Sequence, residues 1–250
     1  MSINQQIKTL LTENTVFMRS DEFKNILDSN GNPINENIVV YDGLVNESKF
    51  GGILFLLKEA VQSSIEYDHK DKIINDTFDL ISTAQTEALN QSQETYSGDL
   101  HWKELCEWIE VYKKPKTSFK HLKDHGGNLA EIALVNIKKI AGLSKTNPKV
   151  IYSIVNNETY ANILKKEIEL INPQIVICCG TFDYAKILYP TPVITDTLEC
   201  GVEYFISNNI TFVDFIHPTQ YGAAAKQTMK FAYAKAVFGE LKTAPPKTRK

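Results

Sequence analysis

Three residues of this sequence, a carboxylate, an amide and an imidazole, each lie at or just after the end of a short apolar run. They are Glu59, Asn136 and His217. Carboxylates and imidazoles exchange protons, and an amide carries both a hydrogen-bond donor and an acceptor. A fourth apolar run is followed by Gly180 and Thr181. Together, in this order, these run ends indicate a candidate site more specifically than any one of them does.

Each feature alone also has an ordinary structural explanation. A glutamate after a strand is often a carboxylate that the helix dipole favours at the start of a helix. A single histidine is often a hydrogen-bonded structural residue. The pair Gly180 and Thr181 is most simply a turn in which the threonine caps the following helix. These explanations stay open beside the functional interpretation.

The apolar runs predict four buried strands, because they are short and rich in β-branched or aromatic residues. The predicted strands are residues 52–57, 132–137, 174–179 and 210–216. The amphipathic segments between them predict helices at residues 71–89, 101–112, 159–171 and 222–241. Alternating strands and helices predict an α/β fold of three layers, α/β/α, with a mainly parallel central sheet. In such a sheet the site lies at the carboxyl ends of the strands.

The length of 250 residues allows one large domain or two small ones. No linker or repeat divides the chain, so we expect a single domain over residues 1–241, with a helical N-terminal extension over about residues 1–50. Residues 242–250 contain two prolines and scattered basic residues, which predicts a basic flexible tail. The net charge of −3 excludes a polycation. A nucleic acid would therefore have to bind a local basic patch.

The four cysteines form no C-x-x-C pair, so a zinc knuckle or an iron–sulfur cluster is not expected. The sequence predicts no metal and no cofactor. The longest apolar runs are shorter than ten residues, whereas a membrane-spanning helix needs about 20. Residues 1–12 are polar and amphipathic, unlike a secretory signal. We therefore expect a soluble cytoplasmic protein with no membrane partner.

The four segments around the run ends resemble motifs of the uracil-DNA glycosylase superfamily. They are, in chain order, GGILFLLKEA, ALVNIKKIAG, INPQIVICCGT and FIHPT. The resemblance covers residues 51 to about 230 and is closest to an uncharacterised bacterial branch of that superfamily. This branch often has K-E-P-N at the first motif and an N-L-K-K-like run at the second. The resemblance implies a uracil-DNA glycosylase-like fold.

The resemblance also implies roles for the three residues at the run ends. Cleavage of an N-glycosidic bond passes through an oxocarbenium-like sugar and an anionic base, so it needs a carboxylate near the sugar and a donor near the base. By similarity Glu59 and His217 take these two catalytic roles. Asn136 would read the edge of a base that is flipped out of the DNA stack.

Further contacts follow from the same resemblance. Residues near the motifs would bind the base or the rest of the substrate: Lys58, Ala60, Gly180, Pro218 and Thr219. The aromatic side chain that stacks on the flipped base has three candidates, Tyr67, Phe119 and Trp102, of which Trp102 is better explained by packing in the core. The basic residues expected to contact the DNA backbone are Lys138, Lys139, Lys226 and Lys230.

The sequence leaves three functions open. The first is a DNA glycosylase that removes uracil or another altered base, in repair or in defence against foreign DNA such as phage DNA. The second is a nucleic-acid-binding module that has lost the chemistry, which is favoured by Lys58 and Val61 where the superfamily has Gly and Pro. The third is a nucleoside hydrolase or transferase, which is favoured by the lack of a strongly basic groove in residues 1–216.

Overall fold

The computed structural model describes residues 1–27, 31, 36–60, 65–66, 70–90, 100–114, 129–142, 147–191, 194–217 and 224–243, with only the backbone at 90, 100–104, 224–230 and 243. Its helices are α1 Ile3–Glu13, α2 Thr15–Met18, α3 Leu80–Asn90, α4 Leu100–Lys113, α5 Pro148–Asn156, α6 Glu158–Ile171, α7 Phe182–Leu188 and α8 Ala224–Thr243. Its strands are β1 Val39–Tyr41, β2 Gly43–Leu44, β3 Ile53–Leu57, β4 Ile73–Ile74, β5 Thr77–Asp79, β6 Ile132–Asn136, β7 Ile175–Cys179, β8 Ile194–Thr197, β9 Glu203–Ser207 and β10 Ile210–Phe215. Short 3₁₀ helices span Asp21–Phe23, Lys70–Lys72 and Leu129–Glu131.

The main sheet has the strand order β2-β6-β3-β7-β10-β9-β8 in the described part of the chain. The four central strands, β6, β3, β7 and β10, are parallel. The expectation of a mainly parallel sheet is wrong, because the sheet is mixed. Strand β2 pairs antiparallel with β6, β9 with β10, and β8 with β9. The hairpin between β9 and β10 is closed by Asn208 and Asn209, both with positive φ, which is typical of a tight turn that matches the strand twist.

A second sheet, with the order β1-β5-β4, is also mixed. The sequence predicted one helix over residues 71–89. This prediction is wrong for residues 71–79, which contain β4 and β5. Asn75 and Asp76 have positive φ and turn the chain between β4 and β5, so α3 is the α-helical part of this region. In the small sheet Phe78 of β5 is buried, whereas Ile74 of β4 is exposed.

Helices cover both faces of the main sheet, so the fold is α/β in three layers. Consecutive residues of a strand point to opposite faces, and the adjacent thiols of Cys178 and Cys179 lie in the two separate cores on either side of the sheet. One core packs against α1, α5, α6 and α7, and the other against α3, α4 and α8. Among the described residues, no helix is long and apolar enough to cross a membrane.

The remaining predicted elements are confirmed to within two residues at each end. The four predicted strands correspond to β3, β6, β7 and β10, and the other three helices to α4, α6 and α8. Helix α6 begins at an Asn157 cap and ends at Asn172, whose φ of 50° reverses the chain before Pro173. The strand that follows, β7, begins at Ile175.

The two chain ends differ from the expectation. The first 50 residues contain α1 and α2, but also the strands β1 and β2, which belong to the two sheets. They are an integral part of the fold rather than a helical extension. Helix α8 continues to Thr243, so the first two residues of the predicted tail are helical. Residues 244–250 lie outside the described part of the chain.

Candidate site at the strand ends

The carboxyl ends of β6, β3, β7 and β10 meet at one edge of the sheet, because these four strands are adjacent and parallel. The pairing aligns Leu57 with Asn136, and Phe215 with Cys179. The residues that the sequence singled out therefore lie along this edge in the order Asn136, Lys58 and Glu59, Gly180, and His217. We call this the strand-end edge.

Lys58, Gly180 and His217 come together at the middle of the strand-end edge. Gly180 has a φ of 64°, and a Cβ placed on it would lie 3.6 Å from the Nζ of Lys58 and 3.9 Å from the Cβ of His217. The positive φ favours glycine at this position. Because glycine has no side chain, Lys58 and His217 can lie close to each other there. Lys58 is half-buried. Within the described part of the chain, no carboxylate forms an ion pair with its ammonium.

Glu59 is held at the same edge by a buried lysine. The Nζ of Lys138 lies 2.7 Å from Oε2 of Glu59 and 2.6 Å from Oε2 of Glu36, and the three side chains are at most 1% exposed. Asn25 donates to both carboxylate oxygens of Glu36, from its backbone and its side-chain nitrogen. We call Asn25, Glu36, Glu59 and Lys138 the Lys138 cluster.

A glycine closes the Lys138 cluster on the side of residues 137–142. A Cβ on Gly142 would collide with Oε2 of Glu59 and lie 2.6 Å from the Nζ of Lys138. The backbone N–H of Gly142 donates to the carbonyl of Ala60 at 2.8 Å. Ala60 itself packs against a small apolar cluster beside β1 and β5. The missing side chain at Gly142 is therefore what leaves room for the ion pair.

The next residue forms a second cluster of the same kind. The Nζ of Lys139 lies 2.7 Å from Oδ1 of Asp42 and 2.6 Å from Oε2 of Glu167, with all three side chains fully buried. The backbone N–H of Lys139 donates to the hydroxyl of Tyr160, on the same helix as Glu167. We call Asp42, Lys139, Tyr160 and Glu167 the Lys139 cluster. It ties the end of β6 to α6.

Burial and charge change the proton affinities in the Lys139 cluster. Burial raises the pKa of Glu167 well above its usual range, and the charge of Asp42 adds to this, although Lys139 opposes it. Burial alone would lower the pKa of Lys139, but Asp42 and Glu167 outweigh it and raise that pKa. One ammonium faces two carboxyl groups, and a proton on Glu167 balances the charge of this buried group.

Asn136 is part of this interior arrangement. Its backbone N–H donates to Oδ2 of Asp42 at 2.6 Å and its side-chain Nδ2 donates to the same oxygen at 3.2 Å. Asn136 is buried, with 1% of its surface exposed. The structure thus places Asn136 at the strand-end edge with its amide donor engaged by Asp42. Its reading of a base stays a prediction.

Lys138 and Lys139 are not available to DNA phosphates. The sequence predicted both as backbone contacts, but both are fully buried and each ammonium lies between two carboxyl groups. Lys226 and Lys230 lie in the first part of α8, residues 224–230, of which only the backbone is described. Four other predicted site residues lie outside the described residues: Tyr67, Phe119, Pro218 and Thr219.

Thr181 and the two strand thiols have structural roles. Thr181 precedes α7, but its hydroxyl donates to the carbonyl of Leu56 at 2.8 Å and makes no hydrogen bond that caps the helix. Thr181 therefore occupies the expected N-cap position of α7 without the side-chain hydrogen bond that usually accompanies it. Burial raises the pKa of Cys178 and of Cys179 above the ordinary thiol range. Neither thiol is a nucleophile at neutral pH.

Three carboxylates that complete the two clusters were missed in the sequence: Glu36, Asp42 and Glu167. A signal for Glu167 was present, because it interrupts the apolar face of α6 between Ile163 and Ile171. A second signal was the pair Lys138 and Lys139 directly after a buried strand. Adjacent residues there point to opposite sides, so each lysine needs its own buried counter-charge.

A cavity of about 250 Å³ lies between α1 and the start of α3. Polar side chains line most of it, and Asp42 contributes one wall. Both carboxylate oxygens of Asp42 are already engaged by Lys139 and Asn136. The cavity therefore borders the Lys139 cluster, but Asp42 has no free carboxylate oxygen with which to bind a ligand there.

The described residues hold no group of three or more histidine, cysteine, aspartate or glutamate side chains that could bind a metal ion. Searches against protein-family models and against curated proteins gave no match for this chain.

Proposed function

We propose that this protein is a DNA glycosylase-like hydrolase that cleaves the N-glycosidic bond of uracil or another altered base after base flipping. The observation that carries the proposal is that Lys58, Glu59, Gly180 and His217 all follow the carboxyl ends of adjacent parallel strands, where Lys58 and His217 lie beside Gly180. These are the residues that the motif resemblance selects, and they are brought together by strands far apart in sequence.

The proposed reaction assigns one group to each developing charge. As the bond between C1′ and the base nitrogen breaks, its electron pair leaves with the base and the sugar becomes oxocarbenium-like. The carboxylate of Glu59 stabilises the positive sugar, and the imidazole of His217 donates to the anionic base. A water adds to C1′ and gives up a proton, which Glu59 accepts. The products are a free base and an abasic site.

The ammonium group of Lys58 favours an anionic substrate at this site. A half-buried ammonium with no carboxylate partner among the described residues retains its charge for a ligand, unlike Lys138 and Lys139. A phosphate next to the flipped nucleotide is the group of that charge in DNA. The proposal therefore gives Lys58 the phosphate contact that the two buried lysines cannot make.

A second function, binding of nucleic acid without chemistry, is favoured by the interior contacts of the same residues. The carboxylate of Glu59 is 1% exposed and paired with Lys138, and the amide donor of Asn136 is engaged by Asp42. In this alternative the two side chains stabilise the strand-end edge, and Lys58 with its neighbours binds the DNA backbone.

A panel of oligonucleotides, each with one altered base, tests the proposal. We expect the protein to leave abasic sites in at least one member of the panel, and we expect His217→Ala to lower the single-turnover rate about 10²–10³-fold. The melting temperature of His217→Ala, measured on the same preparation, is the control for folding. Binding of the oligonucleotides without abasic sites in any of them would favour the second function.

A further inference from the structure

We propose that Lys138 is a positioning residue, which fixes the Glu59 carboxylate at the strand-end edge and keeps it ionised, while Glu36 limits how strongly it does so. This inference rests on the proposed function, in which Glu59 acts on the sugar. It assigns a new task to Lys138, which the sequence placed among the DNA-backbone contacts, and a task to Glu36, which no motif of the sequence marked as part of the site.

The geometry of the Lys138 cluster fixes the position of the Glu59 carboxylate. Lys138 is fixed at both ends, because its backbone N–H donates to the carbonyl of Lys58 at 2.8 Å and its ammonium lies between the two glutamates. Glu36 is fixed in turn by Asn25. Gly142 packs against one side of the Glu59 carboxylate. The position of the Glu59 carboxylate is thus set by a chain of contacts that begins at residue 25.

The charges of the Lys138 cluster act on the ionisation of the Glu59 carboxylate. Charges that are excluded from water interact strongly, so an ammonium 2.7 Å from Oε2 of Glu59 favours the ionised carboxylate. Glu36 lies on the other side of the same ammonium and partly offsets its charge. The charged groups around Glu59 also include Lys58, the preceding residue. Removal of Glu36 and removal of Lys138 should therefore have opposite effects on the titration of Glu59.

Two variants separate these effects. Glu36→Gln keeps the shape of residue 36 and removes its charge, and its one amide oxygen retains only part of the hydrogen bonds that the two carboxylate oxygens accept from Asn25 and Lys138. Replacement of Lys138 alone would leave two buried carboxylates without a cation, so Lys138→Met is made in the Glu36→Gln background to keep the protein folded. Glu167→Gln is the matched control, because it removes a buried carboxylate from the neighbouring Lys139 cluster and leaves the Lys138 cluster intact.

The measurement is the titration of the Glu59 carboxyl carbon by NMR in ¹³C-glutamate-labelled protein, assigned with Glu59→Gln. It requires no substrate. We expect the titration midpoint to move to lower pH in Glu36→Gln and, relative to that variant, to higher pH by about 1–3 pH units in the double variant. Glu167→Gln should leave the midpoint in place. Midpoints that stay unchanged, or that move in the same direction in both variants, would overturn the inference.

The pH dependence of the single-turnover rate gives the second measurement. We expect its acidic limb to move with the NMR midpoint of each variant, which a merely structural lysine would not cause. An acidic limb that stays fixed while the midpoint moves would also overturn the positioning role. If the wild-type protein cleaves no altered base, but the midpoints still move in opposite directions, the proposed function fails and the control of Glu59 by Lys138 stands.

Discussion

The Lys138 and Lys139 clusters are built alike but face different parts of the molecule. Each has one fully buried ammonium between two carboxyl groups, and the two lysines are neighbours in the chain. The Lys138 cluster includes Glu59 at the strand-end edge, whereas the Lys139 cluster extends to Tyr160 and Glu167 in α6. The comparison shows how one dipeptide after a buried strand can supply a site on one side and anchor a helix on the other.

Replacement of Lys139 should have the largest effect on stability. Lys139→Met would leave Asp42 and Glu167 buried without their cation, and the loss of one partner from a buried ion pair costs about 3–5 kcal/mol. Urea denaturation gives the free energy of unfolding. The double variant Lys139→Met with Asp42→Asn removes the buried carboxylate that has lost its cation and should recover part of this loss. A wild-type unfolding midpoint in the single variant would show that the cluster contributes little to stability.

Gly142→Ala should perturb the Lys138 cluster alone. The added methyl group would collide with Glu59 and approach Lys138, and overpacking of a filled interior costs about 1–3 kcal/mol. We also expect a lower single-turnover rate, because Glu59 has to move. Gly239 is the matched control: a Cβ there meets no atom within 4 Å, and alanine is favoured over glycine in the helix interior. Equal stability of the two alanine variants would contradict the tight packing around Glu59.

The Lys139 cluster should make stability depend on pH. The raised pKa of Glu167 means that the folded protein retains a proton that the unfolded chain releases near the ordinary value of 4.5. The free energy of unfolding should therefore fall as the pH rises from about that value toward the raised pKa, by at most about 1.4 kcal/mol per pH unit. Glu167→Gln cannot titrate and should be less sensitive to pH over this window. Parallel curves for the two proteins would show that Glu167 does not cause the dependence.

Lys58 extends the comparison to a lysine that has no carboxylate partner in the described structure. Lys58→Met should leave the free energy of unfolding nearly unchanged, in contrast to Lys139→Met. It should flatten the dependence of log affinity for an oligonucleotide on log salt by about one phosphate contact. Fluorescence anisotropy over a salt series measures this slope. An unchanged slope would place Lys58 outside the DNA contact and weaken the case for an anionic substrate.

The central part of the fold was predictable from the sequence, and its edges were not. Strands β3, β6, β7 and β10 are continuous apolar runs, which is typical of parallel strands that are buried on both faces. The edge strands carry weaker patterns and depend on turns. The pair Asn75 and Asp76 was the local signal for the β4–β5 turn, and the apolar residues around it suggested a helix instead.

The candidate site was predictable only in part, for a related reason. Strand ends can be found from local patterns, and they gave Lys58, Glu59, Gly180 and His217. The charge partners are non-local, because Glu36 and Asp42 precede their lysines by 102 and 97 residues. Local patterns contain no information on such distant pairs. For this reason the two lysines were assigned to the surface, although they are buried.

The most direct test of the central claim compares the same substitution in the two clusters. Glu59→Gln and Glu167→Gln each replace a buried carboxyl group beside one of two adjacent lysines, but only Glu59 lies at the strand-end edge. On an oligonucleotide that the wild-type protein cleaves, we expect Glu59→Gln to lower the single-turnover rate about 10²-fold or more and to retain binding. Glu167→Gln should cleave at the wild-type rate. Equal rates for the two variants would contradict the assignment of Glu59 and the active site proposed at the strand-end edge.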